Sequence, residues 1–114
     1  MKLAVKRVYE KPEGRDGRRL LVDRLWPRGL SKEKARVDVW LKDVAPSAAL
    51  RQWFGHDPAK WSAFKRRYFA ELKEMDAAAL VRKAAGGGRA TLLFSAKDED
   101  HNNAVALREF LRRK

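Results

Sequence analysis

The sequence predicts an α/β fold: a single small layered domain over residues 1–114, with a mostly parallel or mixed sheet of about four strands and flanking helices. Three observations predict it. The apolar runs LLV at 20–22 and ATLLF at 90–94 have the composition of central strands that are covered on both faces. A long segment with helical periodicity lies between them, as a parallel crossover requires. The length of 114 residues suits one hydrophobic core and is too short for two domains.

Three strands are predicted in the first half of the chain. Leu3–Tyr9 alternates weakly between apolar and polar residues and is the first. The loop at 10–17, which contains proline and glycine, is too short for a crossover helix, so the first two strands are expected to be antiparallel or non-adjacent. Arg18–Asp23 is the second strand, and its apolar run indicates a central position. The period-two pattern of Val37–Leu41 predicts a third strand that ends near Val44.

Helices are predicted wherever a residue that favours an N-cap precedes helical periodicity. These segments are one turn after Ser31, Ala48–Phe54 after Ser47, a long helix from Pro58 to about Met75 after Asp57, Ala77–Ala85 after Asp76, and a last helix after Asn103 or Asn102. Gly55 and the run Gly86–Gly88 supply the stops. The core strand Arg89–Phe94 lies between the last two helices, and the mostly helical link that leads to it fits a parallel crossover.

The chain carries 27 Lys and Arg residues against 15 Asp and Glu residues, a formal net charge of +12. A positive field of this size attracts anions, including nucleic acid. The alternative is that the protein is basic without binding any anionic ligand. There is no cysteine, which excludes disulfides, thiolate zinc sites and cysteine nucleophiles and fits a cytoplasmic protein. The amino-terminal residues contain no long apolar run, so we expect neither a signal peptide nor a membrane span.

The first candidate site follows the second strand, in the sequence VDRLWPRG at 22–29. Pro27 stiffens this loop and Gly29 allows it to turn. Its candidate ligand-binding residues are Asp23, Arg24, Trp26 and Arg28. A guanidinium group matches phosphate or carboxylate oxygens two at a time, and ligands of open α/β sheets bind at the strand ends. The alternative is that Asp23 pairs with one of these arginines and that Trp26 fills the core.

The second candidate site is the polar loop that follows the strand ending at Phe94. Its ligand-binding candidates are Ser95, Lys97 and Asn103. The amino terminus of the final helix favours an anion there, but Asp98, Glu99 and Asp100 could satisfy the helix dipole themselves or hold a hard cation. Their spacing is not that of an EF-hand, so we predict no metal site. His101 is the candidate for acid–base chemistry, and loop solvation with helix capping is the alternative for the whole segment.

The two candidate sites should line one pocket. If their strands are parallel neighbours, both loops leave the same edge of the sheet, and an arginine of the first loop would lie near Ser95 and Lys97. A guanidinium, an ammonium and the helix dipole would then converge and be unfavourable if uncompensated, so Asp23 or Asp98 is expected to pair with some of them in the empty protein.

Five ordered segments resemble the YeaO-like bacterial proteins of unknown function. They are VDRLWPRG at 22–29, DVWLKDVAPS at 38–47, WFGHDP at 53–58, FKRRYFAEL at 64–72 and LLFSAKDEDHNNAVALREFL at 92–111. The resemblance implies a small α/β domain in a bacterial cytoplasm and supplies no activity. By motif, its marked positions fall on Asp23, Arg24, Trp26, Pro27, Arg28, Gly29, Lys42, Ser47, Asp57, Ser95, Lys97 and Asn103. A broader related group carries a Cys-His pair near the position of His101, and this chain, without cysteine, cannot share its thiol chemistry.

Three functions fit these residues. The preferred one is a basic domain that binds the phosphate or carboxylate group of a small molecule, clamped by Arg24 and Arg28, with charge from Lys97 and proton transfer by His101 if the protein is an enzyme. The alternatives are a nucleic-acid-binding module, whose binding should be weak, nonspecific and strongly salt-dependent, and a protein-interaction domain. The sequence leaves the reaction, any cofactor and the oligomeric state open.

Overall fold

The computed structural model describes residues 2–113 and confirms the α/β class. Its strands are β1 (Leu3–Arg7), β2 (Arg18–Leu21), β3 (Val39–Trp40) and β4 (Ala90–Phe94). Its helices are α1 (Lys32–Ala35), α2 (Ala48–Phe54), α3 (Trp61–Glu74), α4 (Ala77–Ala85) and α5 (Asn103–Arg112). Short 3-10 turns at 14–16, 42–44 and 58–60 connect them.

The four strands form one parallel sheet in the order β1-β4-β2-β3. The predicted pairing of the two apolar strands is confirmed, with Leu20 opposite Leu92 and Leu21 opposite Leu93. The first two strands are non-adjacent, as expected from their short connection, because β4 lies between them; the antiparallel alternative is wrong. All four strands therefore end at the same edge of the sheet.

Alternate residues of β2 and β4 face two different hydrophobic clusters. Leu20 and Leu92 belong to the larger cluster, with residues of α2, α3, α4 and α5. Leu21 and Leu93 belong to a smaller cluster, in which Val8 and Ala35 of α1 cover the opposite face. Each fully buried leucine contributes roughly 1.5–3 kcal/mol to stability. Most of the buried apolar surface thus lies between one face of the sheet and helices α2, α3, α4 and α5. The opposite face is covered by fewer apolar side chains and is called the thinly covered face.

The third strand is shorter than predicted. It ends at Trp40, and Lys42–Val44 forms a 3-10 turn instead of continuing to Val44. The turn is favoured because Val44 is buried and its carbonyl accepts a hydrogen bond of 2.6 Å from the Tyr68 hydroxyl of α3. Burial raises the pKa of Tyr68 far above its ordinary value, so this hydroxyl stays protonated and donates at any ordinary pH. A straight strand would give up this buried contact.

Four predicted N-caps are confirmed and one is wrong. The Asp57 side chain accepts the amide N–H of Ala59 at 3.0 Å in the 3-10 turn that leads into α3. The side chains of Ser31, Ser47 and Asn102 each accept a backbone N–H in the first turn of the helix that follows. Asp76 precedes α4 but makes no such bond, and its φ of 55° is left-handed rather than extended. The reason is that α3 and α4 are almost contiguous: the Asp76 amide still donates to the Lys73 carbonyl at the end of α3, which sets a different backbone geometry.

A buried ion cluster closes the thinly covered face. The carboxylate of Asp16 lies 2.6 Å from the Arg19 guanidinium and 3.1 Å from the Lys6 ammonium. Arg19 also donates to the carbonyl of Ala35 at 2.8 Å, and the Thr91 hydroxyl donates to the Asp16 carbonyl at 2.8 Å. The cluster therefore joins the loop before β2 to β1, β4 and α1 where apolar contact is sparse.

Candidate functional site

A cavity of about 730 Å³ opens at the carboxyl edge of the sheet. Every strand contributes to it through its end or the segment that follows: Arg7 and Tyr9 at the end of β1, 23–28 after β2, 45–46 after β3 and 95–97 after β4. Arg51 and Phe54 of α2, Phe64 of α3 and the start of α5 complete the lining. The expected convergence of the two loops is observed, and it places all the sequence-predicted site residues, Asp23, Arg24, Trp26, Arg28, Ser95, Lys97, His101 and Asn103, around one space. Their role in binding stays a prediction.

Asp23 is bonded by neutral donors. Its Oδ2 accepts the amide N–H of Ser95 at 2.9 Å and the Ser95 hydroxyl at 2.7 Å. Its Oδ1 accepts from the Asn103 amide at 3.1 Å, and Asn103 also donates to the Val22 carbonyl at 2.9 Å. The expected pairing of Asp23 with an arginine is therefore wrong: within residues 2–113 no ion pair joins them, because β4 and α5 bring three uncharged donors closer.

Arg28 occupies the corner of a tight turn. The Leu30 amide donates to the Pro27 carbonyl at 3.4 Å, and Gly29 between them has a φ of +76°, the left-handed geometry that a type II turn requires at its third position. From the opposite side the Tyr9 hydroxyl donates to the Arg28 carbonyl at 2.8 Å. The backbone is thus held, whereas the guanidinium has no hydrogen bond or ion pair with any described residue and is exposed.

Trp26 combines the two roles that the sequence left open. Its indole donates to the Leu30 carbonyl at 2.6 Å and meets the Trp40 ring edge to face, with centroids 5.4 Å apart. It packs against the smaller hydrophobic cluster and also lines the cavity. Trp26 therefore fills core on one side and forms a cavity wall on the other.

Arg24 is only loosely held. Its guanidinium makes long contacts of 3.5 and 3.4 Å with the carbonyls of Ala45 and Pro46. The segment that carries these two carbonyls is held by α3. The Glu71 carboxylate of that helix accepts hydrogen bonds from the Ser47 amide at 2.9 Å and from the Ser47 hydroxyl at 2.7 Å. Arg24 is therefore positioned at the cavity by the backbone around it, and no carboxylate of residues 2–113 pairs with it.

His101 is oriented by Asp98. Its Nδ1 lies 2.9 Å from the Asp98 carboxylate, and its ring meets Trp61 edge on at 5.3 Å. The hydrogen bond from the Asp100 amide, followed by that from the His101 ring, lowers the pKa of Asp98, so this carboxylate is charged at neutral pH. Nδ1–H therefore faces Asp98, and Nε2 is the free ring nitrogen of the neutral form. Asp98 makes no ion pair with Arg24, Arg28 or Lys97, because the amides of Asp100 and His101 and the His101 ring bind it first.

Sequence reasoning missed Arg7, Arg51, Phe54 and His56, which also line the cavity. Arg7 is the most informative of them. It is the last residue of β1 and lies opposite Phe94, and its guanidinium donates to the carbonyls of Ser95 and Ala96 at 3.0 and 2.9 Å. The only signal for it was its place at the end of the first strand, which becomes meaningful once β1 and β4 are known to be neighbours.

The cavity has an excess of positive charge. Its cations are Arg7, Arg24, Arg28, Arg51 and Lys97, whereas Asp23 is the one acidic residue among the described residues that line it. The side chains of Arg28, Arg51 and Lys97 have no hydrogen-bond or ion-pair partner within residues 2–113. No group of three His, Asp or Glu residues in that range is placed to hold a metal ion, and no described helix is long and apolar enough to cross a membrane. The arrangement is suited chemically to an anion.

Known relatives cover almost the whole chain. The protein is 39% identical over 113 residues to the uncharacterized protein YeaO of Escherichia coli K12, which is 98% of either chain. It is 40% identical over 110 residues to the uncharacterized protein Rv3073c of Mycobacterium tuberculosis H37Rv, covering 96% of this chain and 93% of the relative. An uncharacterized Mycobacterium bovis protein, Mb3100c, matches equally well. No solved structure matches the chain significantly. The model of the family described as the inactive DUF488-N3 subclade matches residues 2–114, and the chain therefore belongs to that family.

Proposed function

We infer that this protein is a binding domain that holds the phosphate or carboxylate group of a small molecule in the cavity at the carboxyl edge of its sheet. The observation that carries this inference is the charge imbalance of the cavity. Within residues 2–113, three cationic side chains that line it, those of Arg28, Arg51 and Lys97, have no hydrogen-bond or ion-pair partner, while the one acidic side chain of its described lining, Asp23, is hydrogen-bonded to Ser95 and Asn103. Guanidinium groups of this kind gain charge-assisted hydrogen bonds when an anion enters.

Arg28 is the principal anion contact in this proposal. Its turn is fixed by Gly29 and Tyr9, so little backbone freedom is lost on binding, and its guanidinium is unpaired. Lys97 adds charge from the loop after β4, and Arg51 adds charge from α2. Helix α5 begins at the cavity, and its first-turn amides bring the positive end of the helix dipole to the same place.

Binding without catalysis fits the residues better than an enzyme. The family description calls the subclade inactive. A serine nucleophile needs a base within hydrogen-bond reach, but the Ser95 hydroxyl donates to Asp23, while His101 is bonded to Asp98. Ser95 and His101 thus line the same cavity, but each is hydrogen-bonded to an aspartate and not to the other. A cytoplasmic location is part of the proposal, and the absence of cysteine supports it.

The variant Arg28→Ala tests the proposal. We expect it to bind inorganic phosphate roughly ten- to hundredfold more weakly than wild type, because one charge-assisted contact is worth about 1.5–3 kcal/mol. Binding is measured by following the amide resonances of Ser95 and Asn103 during a phosphate titration. The matched control is Arg82→Ala, which removes an exposed arginine of α4 away from the cavity and should leave the affinity unchanged within about twofold.

Two results would contradict the proposal. Equal phosphate affinities for wild type and Arg28→Ala would remove the cavity arginine from any binding role. Binding of an oligonucleotide that survives Arg28→Ala and falls steeply with salt would favour the nonspecific nucleic-acid module instead.

A further inference from the structure

We propose that the occupant of this cavity is a phosphate ester that carries a flat aromatic ring, of which a nucleoside monophosphate is the simplest chemical form. This inference rests on the proposed function, since it takes the anion as given and asks what is attached to it. A bare phosphate is much smaller than a cavity of about 730 Å³, whereas pockets of this size accommodate complete small molecules.

The inner wall of the cavity is aromatic. Phe54 of α2 and Phe64 of α3 both line it, and their ring centroids lie 4.4 Å apart. The stack continues from Phe64 to Trp61, whose ring meets His101. Phe54 also approaches His56, at 6.4 Å. Phe54 and Phe64 are only 5% and 2% exposed, so they form a rigid floor. The aromatic rings that offer more open surface to a planar ligand are Tyr9 and Trp26, which also line the cavity.

The outer rim exposes apolar side chains in the same place. Three large hydrophobic residues are strongly exposed in the described part of the chain, and two of them line this cavity: Leu25, 64% exposed, and Tyr9, 42% exposed. The third, Leu80 on α4, lies elsewhere. The loop that presents Arg28 thus also presents Leu25, and exposed apolar groups beside cations favour a ligand with both characters.

Ser95 and Asn103, which also line the cavity, have acceptor atoms left for a ligand. The single hydroxyl hydrogen of Ser95 is donated to Asp23, which leaves its oxygen lone pairs. Both hydrogens of the Asn103 amide are used, by the Val22 carbonyl and by Asp23, which leaves its carbonyl oxygen. Acceptors in this position complement hydroxyl or amine donors, which the sugar and base of a nucleotide supply and an inorganic anion lacks.

The experiment compares three probes, inorganic phosphate, ribose 5-phosphate and adenosine monophosphate, against wild type, Leu25→Ser and the matched control Leu80→Ser. We expect wild type to bind adenosine monophosphate roughly ten- to hundredfold more tightly than ribose 5-phosphate, because base stacking on aromatic side chains has that strength. Leu25→Ser should weaken adenosine monophosphate binding roughly three- to tenfold, and Leu80→Ser should not change it. Inorganic phosphate should bind all three proteins equally.

The outcomes separate this inference from the proposed function. Equal affinities of wild type for ribose 5-phosphate and adenosine monophosphate overturn the aromatic ligand, while phosphate binding that depends on Arg28 still stands. An adenine advantage that is unchanged in Leu25→Ser also overturns it, because the ring would then lie away from the apolar rim. Failure of every phosphate probe to bind contradicts the proposed function itself.

Discussion

The variant Asp16→Asn is expected to lose about 3–5 kcal/mol of unfolding free energy at pH 7, the usual cost of breaking a buried ion pair from one side. Asp16 and Arg19 are only 6% and 3% exposed, and their charged groups are 2.6 Å apart. An asparagine keeps one acceptor oxygen and turns an NH2 group toward the donors of Arg19 and Lys6. The guanidinium would stay buried without a counter-charge.

The loss should depend on pH in a defined direction. Burial by itself raises the pKa of Asp16, but hydrogen bonds from the Glu13 amide and from Lys6 and Arg19 more than offset it, and the pKa is lowered overall. A carboxyl group with a lowered pKa stabilises the fold above its unfolded pKa, about 3.9, and loses that contribution as the pH falls through its folded pKa. The difference in unfolding free energy between wild type and Asp16→Asn should therefore be largest at neutral pH and should decrease below about pH 4.

Urea unfolding at pH 7 and at pH 3 measures this difference. The matched control is Asp43→Asn, an exposed aspartate without a side-chain partner in the described part of the chain, which should change stability by less than about 0.5 kcal/mol. The expectation fails if the difference in unfolding free energy between wild type and Asp16→Asn is small at pH 7 or equally large at both pH values. The ion cluster would then not stabilise the thinly covered face of the sheet.

Removal of the Asp23 carboxylate has the next largest expected effect. Asp23→Ala should lower the unfolding free energy by about 2–4 kcal/mol, because three donors on Ser95 and Asn103 lose a charged acceptor. The same bonds join the loop after β2 to the end of β4 and the start of α5, so anion binding should weaken even though a negative charge has been removed from the cavity. Simple electrostatics predicts the opposite sign for binding.

Urea unfolding and a phosphate titration of Asp23→Ala measure both effects, with Asp43→Ala as the control. The Ser95 amide resonance reports directly on the lost hydrogen bond. A variant that is as stable as wild type and binds phosphate more tightly would mean that Asp23 acts only as a local negative charge and that the bonded network has no positioning role.

The sequence could predict whatever depended on neighbours along the chain or on apolar runs. Ser31, Ser47 and Asn102 cap their helices because an N-cap interaction spans only three residues. Leu20–Leu21 and Leu92–Leu93 pair because strands that are apolar on both faces belong at the centre of a sheet. Once that pairing was assumed, the convergence of the two loops followed from geometry.

The partners of the site residues could not be predicted, because they are fixed by contacts between distant segments. The choice of Ser95 and Asn103 over an arginine as partners of Asp23 depends on where β4 and α5 place their donors, some 70–80 residues later in the chain. Arg7 could not be predicted as a cavity residue for the same reason, because its position there depends on the pairing of β1 with β4. The pattern at 37–41 predicts a strand of which only Val39–Trp40 forms, and the buried Tyr68–Val44 bond that favours a turn after it comes from α3.

The position of β4 in the sheet has a consequence for biosynthesis. Among the strands of residues 2–113, β4 is synthesised last, yet it lies between β1 and β2, which are synthesised first. During translation these two strands have no direct bonds to each other and must wait for residues 90–94 to emerge from the ribosome before the sheet can form. Such late, long-range pairing slows folding and leaves strand edges open to other chains in the meantime. The sheet is therefore expected to assemble only after β4 has been synthesised, and a polypeptide that stops short of β4 would be a substrate for chaperones and proteases.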